Sequence, residues 1–298
     1  MWQAFLDWYF APRQLHAAGE LPGLFRQLFS PDGLKRAGAL LAVIFEIFGV
    51  VLFDTPRTPR GPELDLTGYH VVLEDHFDGD GLDLELWAHR GLGKSSAGRI
   101  YDEGQARVEG GKLILKAQYR EDGPRGTGWY NSMIRTVEEY TYGYFEITCM
   151  ASMHGAAWWL NSNGMSGGDA GEALSQGGVN GSEVDIFEAY NYDKPLKKNS
   201  VGINVHVDGY GKELKSQQLG NWRVDNLYTE MNTFGLLWTE EEYIFYVNGI
   251  EAVRSAFKNG VSRAPEYAII SLAIPMDMDL GYTTEFFIDS VRILQREA

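Results

Sequence analysis

The 298-residue chain has one cysteine, Cys149, so it can form no intrachain disulfide and offers no cysteine-based metal spacing. That scarcity suits a reducing compartment without requiring one, because a large β-sandwich needs no covalent staples. Positive charge is also short: 26 Lys and Arg stand against 41 Asp and Glu, a formal charge of −15. A nucleic-acid partner wants a basic face, so this balance argues against one, and it disfavours heavily sulfated polymers too. There is no internal repeat and no low-complexity tract. Past residue 65 helical periodicity is scarce, and that scarcity sets the fold class.

What is present divides in two. Residues 1–10 are rich in aromatics, 21–29 repeat apolar positions at helical spacing, and 37–53 are almost wholly apolar apart from Glu46. A cleavable signal peptide does not fit, since the apolar run begins late and no small-x-small site follows it. Two readings of 37–53 stay open. One is a membrane anchor, short for a span and burdened by a central Glu that costs roughly 2.5–3.5 kcal/mol. The other is a helix buried against itself, the main domain or a partner. Residues 55–62 carry Pro56, Pro59 and Pro62 and read as an extended linker. The expected organisation is a helical N-terminal extension with its linker over 1–65 and one domain over 66–298, with localisation unassigned.

Short β-type runs separated by turn signals fill the second part. Residues 105–108 and 112–119 flank Glu109-Gly110-Gly111, and 130–137 and 144–151 flank a turn containing Gly143. Runs at 234–238 and 243–247 precede Asn248-Gly249, the strongest short-range signal for a type I′ hairpin turn. Runs at 268–274 and 285–294 close the chain. Many antiparallel strands over this length predict an all-β sandwich of two sheets, of the jelly-roll type.

The run Gly181-Ser182-Glu183-Val184-Asp185-Ile186-Phe187-Glu188 carries three acids among strong strand formers. Alternation with period 2 sends Glu183 and Asp185 to one face and Val184 and Ile186 to the other. Strict alternation would bury Glu188; a one-residue β-bulge near Ile186-Phe187 brings it back beside the other two. Three carboxylates on one surface repel one another and raise at least one pKa, an arrangement kept for chemistry more often than for stability. The Gly-, Ser- and Asn-rich stretch 161–181 that leads into this run reads as a cleft wall or lid.

The Glu-x-Asp-x-x-Glu spacing resembles the active-site signature of glycoside hydrolase family 16 in its bulged form. Leu73-Glu74-Asp75-His76-Phe77-Asp78-Gly79 with Trp87, Tyr142-Gly143-Tyr144-Phe145-Glu146-Ile147 and Ala156-Ala157-Trp158-Trp159-Leu160 are similar to family segments in the family's order. So are Phe234 to Trp238, Phe245 to Gly249 and Ile288 to Arg292. The resemblance implies a concanavalin-like β-jelly roll with a polysaccharide groove and a retaining, endo-acting β-glycosidase. By position it implies Glu183 as nucleophile, Glu188 as general acid/base and Asp185 hydrogen-bonded between them. Retaining hydrolysis needs two carboxyl groups roughly 5–5.5 Å apart, and Glu188 is expected to rest protonated because of the negative charges beside it.

Groove candidates follow from sugar chemistry. Flat rings stack on the apolar faces of sugars, which nominates Trp158, Trp159, Trp129 and Tyr130. Adjacent Trp158 and Trp159 point to opposite faces, so at most one lines the groove. Trp87 and Trp238 are expected in the core, and Trp222 is undecided. Asn131 and Arg135 are candidates for sugar hydroxyls, and His206 for substrate contact or tuning of the acid/base, against a structural histidine. No cofactor is expected to be required. His154 and His206 are too far apart in sequence to suggest zinc. The family's structural calcium would find Asp289 and the Gly110 carbonyl, but His76 stands where an acid is usual, which counts against it. The expected substrate is a neutral β-1,3- or β-1,3/1,4-glucan. A β-galactan, a transglycosylase using the same covalent intermediate, and a non-catalytic carbohydrate-binding jelly roll are the alternatives, with a membrane or protein contact through 1–65 a further one.

Overall fold

The computed structural model describes residues 55–95, 98–166, 181–207, 209–210, 214–257 and 260–297. Residues 1–54 of the N-terminal extension and linker expected over 1–65, including the anchor reading at 37–53, lie outside the described residues, as do positions 167–180 of the expected lid. Among the described residues no helix is long and apolar enough to cross a membrane.

Seventeen strands are described. They are β1 (Tyr69–Asp75), β2 (Trp87–His89), β3 (Gly93–Lys94), β4 (Ile100–Tyr101), β5 (Ala106–Val108) and β6 (Leu113–Arg120). Then come β7 (Gly128–Thr136), β8 (Gly143–Met150), β9 (Ala156–Ser162), β10 (Ser182–Ala189), β11 (Ser200–Val207) and β12 (Lys215–Arg223). The last are β13 (Asn232–Trp238), β14 (Tyr243–Val247), β15 (Ile250–Ser255), β16 (Glu266–Leu272) and β17 (Thr283–Arg296).

One antiparallel sheet runs β2–β7–β16–β9–β10–β11–β12. The other runs β17–β8–β13–β14–β15, with β6 and β1 beside successive stretches of the long β17. Strand β7 belongs to both: its first half pairs with β6 and β4, its second with β16 and β2. It is the corner of the sandwich. The β14–β15 hairpin closes through Asn248 and Gly249 at φ 50° and 76°, the two left-handed positions a type I′ turn requires.

The core fills from the alternate positions of both sheets. Trp158 and Leu160 of β9, Val184, Ile186 and Phe187 of β10, and Ala268 and Ile270 of β16 meet Phe145, Phe234, Trp238 and Phe286 of the other sheet. Phe187 lies 4.2 Å from Phe234 between ring centroids and meets Phe286 edge-on. Side chains of this size contribute about 1.5–3 kcal/mol each when fully buried. Trp87 and Trp238 are core residues as expected, and Trp222 is buried as well, its indole donating to the Leu219 carbonyl.

Two segments differ from the sequence reading. The proline-rich segment is extended but held to both sheets: Arg57 pairs with the β12 edge, and Gly61 and Leu64 donate to the carbonyls of Glu251 and Gly249. Leu64 and Leu66 then cover Tyr144, Ile244, Tyr246 and Leu294 on the outer face of the second sheet. The strand expected at 268–274 begins and ends two residues earlier. Glu266 still pairs with Ser162 and Tyr140, whereas the amides of Ala273 and Ile274 leave the ladder for the Gly155 carbonyl and Asn131 Oδ1.

Candidate active site

Strand β10 lies mid-sheet with β9 on one side and β11 on the other. Its register slips after Asp185 against both neighbours, so Ile186 and Phe187 together oppose one residue, Ile203. That is the bulge the acid spacing calls for. Both bulge residues are buried, at 1% and 0% exposure, and Glu188 returns to the face of Glu183 and Asp185. Without the extra residue the same chain would drive Glu188 into the core. The three acids line one cleft with Tyr101, Met133, Ala157, Trp159, Tyr190 and Ser271.

Register also names the neighbours of each acid. Glu183 stands between Asn161 and His206, Asp185 between Trp159 and Asn204, and Glu188 between Ala157 and Gly202. The two smallest neighbours flank Glu188, which leaves room beside its carboxyl group. His206 Nε2 is 3.2 Å from Asp185 Oδ2 and 4.0 Å from Glu183 Oε1, and its Nδ1 is 2.6 Å from Ser216 Oγ. The two acids are thus linked through an imidazole, where the sequence reading had Asp185 bonding Glu183 itself. The Tyr210 hydroxyl donates to Glu183 and accepts from Asn161 Nδ2 at 2.9 Å, and Asn161 in turn accepts from Arg90. Glu188 Oε2 accepts from Asn204 Nδ2 at 2.7 Å.

These surroundings set the ionisation. Burial raises all three acids. For Glu183 the Tyr210 hydrogen bond and the His206 charge oppose the rise. Asp185 is pushed to about 6, with the bond to His206 holding it down. Glu188 reaches about 7, first through burial and then through the charge of Asp185, with Asn204 opposing. His206 is itself raised, chiefly by its bond to Asp185. Desolvation, rather than neighbouring charge, is the main reason Glu188 holds its proton. Among the described residues, Glu183, Asp185 and His206 also form a close set of ligand-type atoms, all within 4.8 Å of one another.

The substrate-contact candidates divide sharply. Trp159 lines the cleft, its indole donating to Ser271 Oγ at 3.1 Å and Arg90 lying 5.8 Å from its ring centroid. Trp158 is fully buried in the core, as the opposite-face argument requires of one of the pair. Trp129, Tyr130 and Asn131 are corrections: they are 3%, 0% and 0% exposed, on the half of β7 that turns the corner between the sheets. Trp129 packs edge-on against Tyr119. The Tyr130 hydroxyl is spent on the Arg125 amide and the Gly126 carbonyl, and Asn131 braces the amide of Ile274 and its own strand. Arg135 aligns with Ile269 and through it with Trp159, but its guanidinium donates to the Thr136 carbonyl and lies 4.2 Å over Tyr267. His206 belongs beside Glu183 and Asp185 rather than beside Glu188, whose neighbour is Asn204.

Sequence reasoning missed Asn204, Tyr210, Asn161 and Arg90. Asn204 was within reach, since it lies two residues before His206 and alternation places both on one face. Asn161 was too, two residues past Trp159 and at the start of the stretch read as a cleft wall, whereas Tyr210 and Arg90 come from positions distant in sequence that no local pattern marks.

The sequence model of glycosyl hydrolases family 16 matches residues 94–282. The chain belongs to this family and is a glycoside hydrolase. A curated relative, a beta-glucanase of Rhodothermus marinus, is 27% identical over 226 residues, 72% of each chain. A non-specific endo-beta-1,3(4)-glucanase of the family superposes with a TM-score of 0.64 at 19% identity, over 82% of this chain and 97% of its own. The laminarinase catalytic domain of Thermotoga maritima does so with a TM-score of 0.61 at 19% identity, over 77% and 99%. At that identity these superpositions speak to the fold, a family 16 jelly roll.

Proposed function

We propose that the protein is a retaining endo-β-glucanase acting on β-1,3- or mixed β-1,3/1,4-glucan. The observation that carries this reading is the bulge in β10, which turns Glu183, Asp185 and Glu188 into one cleft. The beta-glucanase of Rhodothermus marinus supports the glucan, as does a structure of the non-specific endo-beta-1,3(4)-glucanase that presents 1,3-beta-D-cellobiosyl-glucose at its active site.

In this reading the ionised Glu183 attacks the anomeric carbon while Glu188 gives its proton to the departing glycosidic oxygen. The leaving chain departs with that proton, and the sugar stays as an ester on Glu183. Glu188, now ionised, takes a proton from water, whose oxygen displaces Glu183 and restores the β-anomer. Tyr210 and His206 stabilise the Glu183 carboxylate between turnovers. Asp185 fixes His206 and lends its charge to keep Glu188 protonated. Trp159 offers the stacking surface beside the acids. Asp289, the acid a family calcium would use, pairs with Lys112 Nζ at 3.2 Å.

Release of reducing ends from β-1,3-glucan, mixed-linkage β-glucan and β-galactan tests the proposal. Cleavage of one or both glucans, in the interior of the chain, is the expected result. Cleavage of galactan alone, or binding without cleavage, would overturn it.

A further inference from the structure

We infer that Glu266, a buried acid on the side of the sheet opposite the cleft, is a positioning residue for Glu183. The inference rests on the reading of Glu183 as the nucleophile. Glu266 opens β16 and is 0% exposed. Its neighbour Tyr267 pairs with Asn161 on the cleft face, so alternation turns Glu266 inward with Ala268 and Ile270.

One carboxylate oxygen of Glu266 accepts two bonds from a single residue: the amide and the hydroxyl of Ser182, each at 2.9 Å. Ser182 is the residue before Glu183, and the β9–β10 ladder begins one position later, with Glu183 opposite Asn161. The carboxylate therefore fixes the backbone just before the nucleophile. Gly181, in front of it, sits at φ 84°, and a Cβ there would fall 1.9 Å from Ser162 Oγ. The chain thus reaches Glu183 through a tight approach to β9 followed at once by the Glu266 anchor. The anchor is itself held, because the Glu266 backbone exchanges both hydrogen bonds with Tyr140 at 2.9 Å. The Ser182 hydroxyl also lies 3.1 Å from the Tyr243 hydroxyl, which accepts the Ser262 amide at 2.7 Å.

The second oxygen, Oε2, is buried with no partner at full hydrogen-bond geometry, and the Ser262 side chain beside the carboxyl group helps hold its charged form. Packing alone would be better served there by an apolar side chain, since an unpaired buried polar atom costs stability. The group that repays its presence is the Ser182 amide. The consequence is a division of labour across the sheet: Tyr210 and His206 orient the Glu183 carboxylate from the cleft, and Glu266 sets from behind where its Cα stands.

Reach and charge separate in two variants of the full chain. Glu266→Gln keeps the length and a carbonyl oxygen for Ser182; Glu266→Asp keeps the charge but draws the oxygens back by one methylene. Steady-state kinetics on soluble β-1,3-glucan should give Glu266→Gln a kcat within threefold of the wild type. Glu266→Asp should lose at least tenfold in kcat with KM within twofold, and its Tm and near-ultraviolet circular dichroism should show it folded. A folded Glu266→Asp with wild-type kcat would overturn the proposal. So would a tenfold kcat loss in Glu266→Gln at unchanged Tm, which decides the matter even where Glu266→Asp fails to fold. A wild-type chain inactive on every glucan would instead remove the nucleophile assignment on which the proposal stands.

Discussion

Strands β7 and β10 belong to the same sheet, and both carry polar and aromatic side chains at alternating positions, yet they serve the cleft in opposite ways. In β10 the polar residues gather on an open face. In β7 the three most sugar-compatible residues, Trp129, Tyr130 and Asn131, are sealed. The difference is their place in the sandwich. Strand β10 has strand neighbours on both edges and a cleft on one face, whereas the first half of β7 leaves its sheet to pair with β6 and β4. Alternation says which residues share a face; whether that face is open depends on partners distant in sequence.

The comparison can be broken most severely at the acids. Glu183→Ala and Glu188→Ala should each lower kcat by about 10³-fold or more on a natural glucan, with unchanged circular dichroism; the general acid/base share of such a loss is typically 10²–10⁴. Trp129→Ala should do the reverse. It is expected to cost about 3–5 kcal/mol of stability in a denaturant titration while the kcat of the folded fraction holds. A rise in KM with no stability loss would return Trp129 to the groove.

The third prediction concerns pH. Glu188 must be protonated for the first displacement, and its pKa is raised to about 7. kcat/KM should therefore fall about tenfold per pH unit above that value. Asp185→Asn removes the neighbouring charge that helps raise Glu188, so the alkaline limb should move to lower pH. An unmoved limb would show that burial alone sets it.

Glu266 gives a stability counterpart, with its folded pKa raised from the ordinary 4.5 to about 7, chiefly by burial. The folded state then holds the proton where the unfolded chain has lost it. The contribution is fully present below about 4.5 and lost as pH rises towards about 7, at up to about 1.4 kcal/mol per unit. Glu266→Gln should flatten that slope in denaturant titrations across the window. The smallest effect is expected at Trp159→Ala, a loss of about 0.5–1.5 kcal/mol of stacking, read as a roughly two- to tenfold rise in KM with little change in Tm.

Much of this was legible in the chain. The bulge could be read from three acids and two consecutive apolar residues, because an inward Glu188 would have no partner and an outward Phe187 no core. The Asn248-Gly249 turn and the core positions of Trp87 and Trp238 were equally accessible. The corner in β7 was not, since nothing local in Gly128 to Thr136 says that the strand changes sheets halfway. Tyr210, Arg90 and Glu266 were hidden for the same reason. Each reaches the nucleophile or its backbone from a separate part of the chain, and only the assembled sheet brings Glu266 against Ser182.

The central claim is that the bulge places Glu183 and Glu188 in one cleft with distinct roles, and azide rescue tests it most directly. With an aryl β-glucoside carrying a good leaving group, Glu183→Ala plus azide should give the α-glycosyl azide, because azide then attacks the sugar once, with inversion. Glu188→Ala plus azide should give the β-glycosyl azide, because azide attacks the ester already formed on Glu183. The opposite pairing of anomers would exchange the two roles, and the same anomer from both variants would contradict the double displacement.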